Sequence, residues 1–240
     1  MFQTSLGDPL IARYCLAMSA TSHSRFAILL DGALTPTDRL RAQLDGCRVL
    51  AADGGIRHAE TLGLEPELWL GDFDSAGEEL EQRFGSIRRQ SYPSEKAVSD
   101  GEIAIRHALD QGAKHLVLVG ALGGERSDHA FFNLAAAASL AIERTELRIT
   151  LTSGLEEALP LLPGRVLRPD WPAGTLFSIP GFTAMSGLSV RNAKWPLDNV
   201  EVPFGSTLTL SNIAGNGLEI ILRNGTTVAI CQFDNMAGPV

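Results

Sequence analysis

Two stretches share one plan: Arg48-Val49-Leu50-Ala51-Ala52-Asp53-Gly54-Gly55, and then Leu68-Trp69-Leu70-Gly71-Asp72-Phe73-Asp74-Ser75. Each is a short apolar run that stops at a turn rich in glycine and aspartate. Runs of this length bounded by turn residues read as buried strands. Outward from them, residues 26–30, 116–119 and 147–151 are further runs of the same kind, and helical patterns lie between, at 38–44, 56–62, 99–111 and 127–142. The pattern at 99–111 carries its own boundary signals. Ser99 and Glu102 have the spacing of a capping box, and Gly112 stands where a helix-ending glycine belongs. Strands alternating with helices imply βαβ crossovers, hence an α/β unit with a mostly parallel, Rossmann-like sheet flanked by helices. Ligands of such sheets bind beyond the carboxyl ends of the strands. The polar clusters at 53–55, 71–75 and 123–129 each follow an expected strand, which is where a site is expected.

The pattern changes after about residue 155. Proline and glycine become dense from 160 to 181, and helical periodicity disappears. Short β-like runs follow at 176–179, 187–190, 206–210, 218–222 and 226–230, with Gly215-Asn216-Gly217 and Asn224-Gly225 as turns between the last of them. This predicts an α/β unit over 26–155 and an all-β unit, a small β-sandwich, over 165–240. Residues 1–25 contain a modest apolar stretch without a charged leader or a clear cleavage site, and read as a loose extension.

Charge and cysteine usage narrow the function classes. Lys and Arg number 20 against 28 Asp and Glu, for a net charge of −8. A surface of that sign disfavours nucleic acid and anionic membranes as partners. It leaves an anionic small substrate open, because a bound cation inverts the local field. No run approaches the roughly 20 apolar residues of a membrane-spanning helix, which predicts a soluble chain. Cys15, Cys47 and Cys231 have no metal-ligand spacing. Their odd number suits a reducing, cytoplasmic compartment and argues against structural zinc.

Asp72 and Asp74 are the first candidates for chemistry. If their segment is extended, both carboxylates face one side. Like charges that close repel unless a cation sits between them, and Mg²⁺ suits hard oxygen ligands while bridging phosphate oxygens. The same pair also fits a solvated acidic turn. Asp100 opens a helix, either as a third metal ligand or as an acid complementing the helix dipole. Lys96 can meet a phosphate as a point charge, or be an ordinary surface lysine. The loop Gly123-Gly124-Glu125-Arg126-Ser127-Asp128-His129 enters a helix, whose start offers N–H groups to an anion. Arg126 can fork onto phosphate oxygens, and Asp128 can bind metal or orient a hydroxyl. The alternative is a plain helix start with Ser127 as its cap. His129 and Asn133 lie one helical turn apart on a shared face. No Walker A, GxGxxG, HExxH or GxSxG pattern occurs, which sets aside P-loop kinases, dinucleotide enzymes, zincins and α/β-hydrolases.

In this order, these segments resemble the thiamine pyrophosphokinase family. The resemblance rests on Asp53-Gly54-Gly55, Pro66, Gly71-Asp72-Phe73-Asp74-Ser75, Lys96 through Asp100 with Glu102, and Arg126-Ser127-Asp128-His129 with Asn133. In the β-rich part it rests on Gly187-Leu188, Lys194-Trp195-Pro196-Leu197 and Ser211-Asn212, so it spans roughly residues 26–230. This chain departs from the family pattern at Ala97, where an aspartate is usual, at Ser99 in place of Thr, and at Glu125 in place of Gly. It also has extra residues between Gly187-Leu188 and the Trp195 element.

The resemblance implies transfer of pyrophosphate from ATP to the hydroxyl of thiamine, with AMP released. It implies Mg²⁺ on Asp72, Asp74 and Asp100, and catalytic roles for these three and Asp128. ATP would be met by Asp53, Gly54, Lys96, Ser99, Arg126 and His129. Thiamine would be met by Trp195, Ser211 and Asn212, with the Trp195 ring facing the cationic thiazolium; the other reading of Trp195 is a core residue. A homodimer with the site between subunits is also implied. The competing readings are a pyrophosphokinase for another hydroxymethyl heterocycle such as a pterin, and a non-catalytic thiamine- or nucleotide-binding protein.

Overall fold

Strand β1 (Arg25–Leu29) lies in the middle of a parallel array. It pairs in parallel with β2 (Arg48–Ala52) on one side and with β5 (His115–Val119) on the other. β2 continues to β3 (Leu68–Gly71) and β4 (Arg89–Ser91), and β5 continues to β6 (Arg148–Thr152), all parallel. The computed structural model describes residues 24–73, 77–93 and 98–233. Nearly all of the expected N-terminal extension lies outside these residues, as do Asp74, Ser75, Lys96 and Ala97.

Side-chain alternation divides the core of this array into two faces. Ala27, Leu29, Val49, Ala51, Trp69, Val117 and Val119 point to one face. There they pack against α1 (Asp38–Leu44), α2 (Arg57–Leu62) and α3 (Gly77–Arg83) through residues such as Leu40, Ala59 and Leu80. Phe26, Ile28, Leu50, Leu70, Leu116 and Leu118 point to the other face. They meet α4 (Asp100–Asp110) through Ile103 and Ala104, and α5 (Ser127–Glu143) through Ala137 and Ala141. Strands buried on both faces read as continuous apolar runs, which is why β1, β2, β3, β5 and β6 were legible. The helix boundaries follow the local signals: Thr37 caps α1 through Leu40 N–H, and Ser99 caps α4 through Glu102 N–H at 3.2 Å.

Beyond α5 the described residues contain no helix. They form β7 (Glu156–Pro160), β8 (Val166–Leu167), β9 (Leu176–Ser178), β10 (Met185–Ala193), β11 (Leu197–Val202), β12 (Asn212–Ile221) and β13 (Val228–Gln232). These pair only antiparallel, yet they join the first array. The hydrogen-bonded order is β11-β10-β12-β9-β13-β7-β6-β5-β1-β2-β3-β4, with β8 beside β12. The result is a mixed α/β fold around one large sheet. The second half has its own apolar cluster, which includes Trp171, Phe177, Leu188, Val190, Leu218, Ile220 and Cys231. A buried carboxylate fastens the halves together. Glu157 on β7 accepts two bonds from Arg39 of α1 at 3.1 and 3.2 Å, one from Gln43 at 2.5 Å and one from Trp171 Nε1 at 2.7 Å.

Several expectations are corrected. Residues 206–210 are not a strand but local turns, with Ser206 N–H bonded to Pro203 O and Leu210 N–H to Thr207 O. Gly215-Asn216-Gly217 is not a turn; it lies within β12. The pairing of β10 with β12 shifts register there, opposite Asn192, whose Nδ2 donates to Gly217 O at 2.7 Å. Such a bulge uses the same residues as a turn, so sequence alone does not separate them. The expected helix 56–62 begins as a 3₁₀ turn at Asp53–Ile56 and becomes α-helical only at Arg57. α3, β4, β7, β8 and β11 had no clear periodic signal: β4 and β11 are half-exposed, and β7 carries two glutamates.

Candidate active site

Trp69, fully buried on β3, is the anchor of the site. Its Nε1–H donates to Asp53 O at 2.8 Å, and its ring meets Phe73 edge-on at 4.9 Å between centroids. One side chain thus holds both the turn after β2 and the turn after β3. Asp53 and Phe73 both adopt left-handed φ values, 44° and 63°. That conformation is uncommon outside glycine and needs surrounding support, which the indole supplies. Gly71 lets the two turns close up, since a Cβ there would stand 3.2 Å from the Asp53 Cα.

The consequence is a carboxylate cluster. Asp53, Asp72 and Asp100 each bring one oxygen within 4.8 Å of the others. They come from the ends of β2 and β3 and from the first turn of α4, at the carboxyl edge of the parallel strands. One oxygen each of Asp53 and Asp100 is shielded from solvent. Three hard, anionic oxygen donors partly removed from water are a donor set that fits Mg²⁺. Asp53 was expected to meet ATP rather than metal, so its place among the carboxylates was missed. The argument that placed Asp72 and Asp74 on one side assumed an extended segment. The backbone instead turns at Phe73, and Asp74 lies outside the described residues.

The other candidates fall around this edge. Arg126 and Asp128 pair with each other at the start of α5, through Nε–Oδ1 at 3.0 Å and Nη2–Oδ2 at 2.7 Å. The hydrogen bond from Arg126 holds the Asp128 carboxyl far below the usual carboxylate range. Both are exposed, so the pair is open to exchange with an anion. Ser127 is the first residue of the helix and not its cap; Arg126 precedes it without a side-chain capping bond. Asn133 donates to Ala121 O at 3.0 Å and ties α5 to the 120–124 loop. Ser99 spends its hydroxyl oxygen on the α4 cap.

Three further residues escaped the sequence reading: Asp31, Arg57 and His58. Asp31 follows β1 and pairs with Arg57 at 2.7 Å. Its carboxyl is raised by burial, against the pull of Arg57 and His58, and it senses the charges of Asp53 and His129. His58 is pushed below its usual value by burial, and its Nε2–H donates to Gly32 O at 3.0 Å. Arg57 and His58 closely follow the Asp53-Gly54-Gly55 turn, which was the available signal for those two; Asp31 offered none.

Trp195 stands in the turn between β10 and β11 and is 51% exposed, which rules out the core reading. The amine of Lys194 lies 4.6 Å above its ring, so the face already accommodates a cation. Asn212 is buried, donates to Trp195 O at 2.7 Å and accepts from Trp195 N–H at 3.1 Å. Its amide therefore positions the Trp195 backbone. Ser211 has φ 59° and donates its N–H to Ser178 Oγ at 3.0 Å.

With this geometry in place, the comparisons with known proteins are direct. Residues 42–151, which carry all three clustered carboxylates, match the family described as "Thiamin pyrophosphokinase, catalytic domain". Over this stretch, 110 of the chain's 240 residues, the chain is similar to the thiamine pyrophosphokinase family. It is 28% identical over 180 residues to the thiamine pyrophosphokinase of Bacillus subtilis (strain 168), covering 74% of this chain and 80% of that protein. The crystal structure of a thiamine pyrophosphokinase from B. subtilis superposes with a TM-score of 0.74 at 22% identity, over 88% of this chain and 99% of the other. The thiamin pyrophosphokinase of Geobacillus thermodenitrificans superposes at 0.70 with 25% identity, over 88% and 98% of the two chains. That of Candida albicans also superposes at 0.70, with 13% identity, over 89% and 91%. Within thiamine pyrophosphokinase likenesses of this extent, the antiparallel half of the sheet is included as well as the parallel half. Among the described residues, no helix is long and apolar enough to cross a membrane.

Proposed function

We propose that this chain is a thiamine diphosphokinase: it transfers the pyrophosphoryl group of ATP to the hydroxyl of thiamine, giving thiamine diphosphate and AMP. The observation that carries this reading is the Asp53–Asp72–Asp100 cluster inside a segment that matches the family's catalytic domain. The thiamine hydroxyl oxygen forms a bond to the β-phosphorus, and the bond from that phosphorus to the α-phosphate bridging oxygen breaks. The hydroxyl proton passes to solvent, and AMP departs with the bridging oxygen. Such transfer depends on positioning and on neutralising charge rather than on covalent catalysis.

Asp72, Asp74 and Asp100, with Asp53 beside them, are the residues that would hold Mg²⁺. Bound there, the ion would offset the negative charge of the triphosphate. Arg126, Lys96 and His129 are the groups we assign to phosphate oxygens, with Ser99 and Gly54 at the same edge. Asp128 is assigned to aligning the acceptor hydroxyl once Arg126 exchanges it for phosphate. Trp195 is assigned to the thiazolium; its exposure and the amine already over its ring favour this. Asn212 holds that turn through the Trp195 backbone, and Ser211 beside it is assigned to the thiamine.

We further infer a Rossmann-like catalytic unit over 26–155 and a β-sandwich unit over 165–240 that binds thiamine and dimerises. The separate apolar cluster of the second half favours the division. Phe131, Phe132 and Phe204, exposed by 55–72%, favour a self-association surface. A cytoplasmic location agrees with the thiols of Cys47 and Cys231 being free. The test is incubation with ATP, Mg²⁺ and thiamine, followed by mass analysis. Thiamine diphosphate and AMP in equal amounts are expected. ADP with thiamine monophosphate, or no product, would overturn the reading.

A further inference from the structure

Arg57 and Asp31 have no part in the roles assigned above, yet they adjoin the carboxylate cluster. Arg57 opens α2 directly after the 3₁₀ turn Asp53–Ile56. Its Nε donates to Gly54 O at 3.0 Å, which fixes one edge of the guanidinium to the residue after Asp53. Its Nη2 reaches Asp31 at 2.7 Å to Oδ1 and 3.0 Å to Oδ2. The pair lies over the Gly54 Cα: a Cβ there would stand 2.7 Å from Asp31 Oδ2 and 2.9 Å from Arg57 Nη2. The glycine is what admits the pair to this position. The side chains are 50% and 42% exposed. A guanidinium is therefore built onto the same turn as a cluster carboxylate. Its Nε is held by the backbone, and its Nη2 is engaged by an exposed carboxylate.

We propose that Arg57 is a polyphosphate-binding residue, and that Asp31 is the exchangeable partner it gives up when a phosphate oxygen of a nucleoside triphosphate arrives. Guanidinium presents the same planar fork to a carboxylate and to a phosphate. An exposed ion pair contributes little to stability, so exchanging Asp31 for phosphate is inexpensive. The backbone bond to Gly54 O limits the freedom lost on binding. A triphosphate held beside three or four carboxylates needs a cationic side chain in addition to metal, and Arg57 stands at that edge. The opposing reading is a clamp in which Arg57 and Asp31 merely stiffen the turn.

The proposal rests on the proposed function for the identity of the nucleotide, and the experiment separates the two. Binding of inorganic tripolyphosphate with Mg²⁺ is measured by calorimetry for the wild type, Arg57→Ala, Arg57→Lys and Asp31→Asn. KM values for ATP and thiamine, and melting temperatures, are measured alongside. Arg57→Ala is expected to weaken tripolyphosphate binding and raise the ATP KM on the order of tenfold, the scale of one charge-assisted hydrogen bond. The thiamine KM should hold, and Arg57→Lys should recover part of the loss. Asp31→Asn should act in the opposite sense and tighten tripolyphosphate binding, because it removes the competitor. If both substitutions weaken binding and lower the melting temperature together, the pair is a clamp and the proposal is wrong. Unchanged tripolyphosphate binding in Arg57→Ala also overturns it. A wild type that binds tripolyphosphate through Arg57 but makes no thiamine diphosphate would overturn the proposed function and leave Arg57 as assigned.

Discussion

Asp53→Asn tests the carboxylate cluster with little steric change. Asparagine has the shape of aspartate and tolerates the left-handed backbone that Asp53 adopts at φ 44°. The oxygens of Asp53, Asp72 and Asp100 lie within 4.8 Å of one another. At that separation, two unit charges repel by about 3.5 kcal/mol at an effective dielectric of ~20, and by about 1 kcal/mol in water. The three residues are partly buried, so each pair falls between these limits. Removing one charge of three relieves two of the three repulsions, so a gain of roughly 2 kcal/mol is a conservative expectation without metal. For a chain of this size that corresponds to a melting temperature about 4–8 °C higher. Mg²⁺ should reverse the order. It should stabilise the wild type markedly and Asp53→Asn little, because the variant has lost one anionic ligand. The assay is thermal unfolding in chelator and in excess Mg²⁺, with turnover measured in the second condition. A variant less stable than wild type in chelator that keeps the full Mg²⁺ response would show that the three carboxylates do not form one cation site.

Three other outcomes follow from the geometry. Glu157→Gln leaves the partly exposed Arg39 facing a neutral partner at the buried Glu157 position; losing the charge-assisted bonds there costs about 1–3 kcal/mol, read as a drop in the denaturant midpoint with no change in metal response. Trp195→Ala should raise the KM for thiamine well above its effect on the KM for ATP, a loss of about 1–2 kcal/mol, and should leave the melting temperature unchanged because the ring is exposed; equal effects on both KM values would remove Trp195 from the thiamine site. Burial pushes His115 down to about 4, so the folded protein keeps this imidazole neutral where the unfolded chain protonates it. Its contribution is complete above the unfolded value of roughly 6.5 and is lost as pH falls towards its folded value. His115→Gln should flatten that part of the stability profile, and an unchanged slope would refute the buried, neutral state.

The parallel half of the sheet could be read from the chain because each of its buried strands is a local signal. A strand covered on both faces is a short, uninterrupted apolar run, and turn residues end it. The capped start of α4 at Ser99 was equally local. Strands β4, β7 and β11 escaped because their neighbours make them strands: Arg89–Ser91 is half-exposed, and Glu157 is polar yet buried because Arg39, Gln43 and Trp171 satisfy it. The Gly215–Gly217 segment looked like a turn because a bulge asks for the same small residues, and only the pairing with β10 makes it part of a strand. The site divides in the same way. Asp72 and Asp100 could be named from their places after a strand and at a helix start. That Asp53 joins them, and that Arg57 and Asp31 stand over Gly54, depends on how closely two separate turns approach. Trp69 and Gly71 set that approach through a hydrogen bond and an absent Cβ, contacts between residues far apart in sequence that no local pattern encodes.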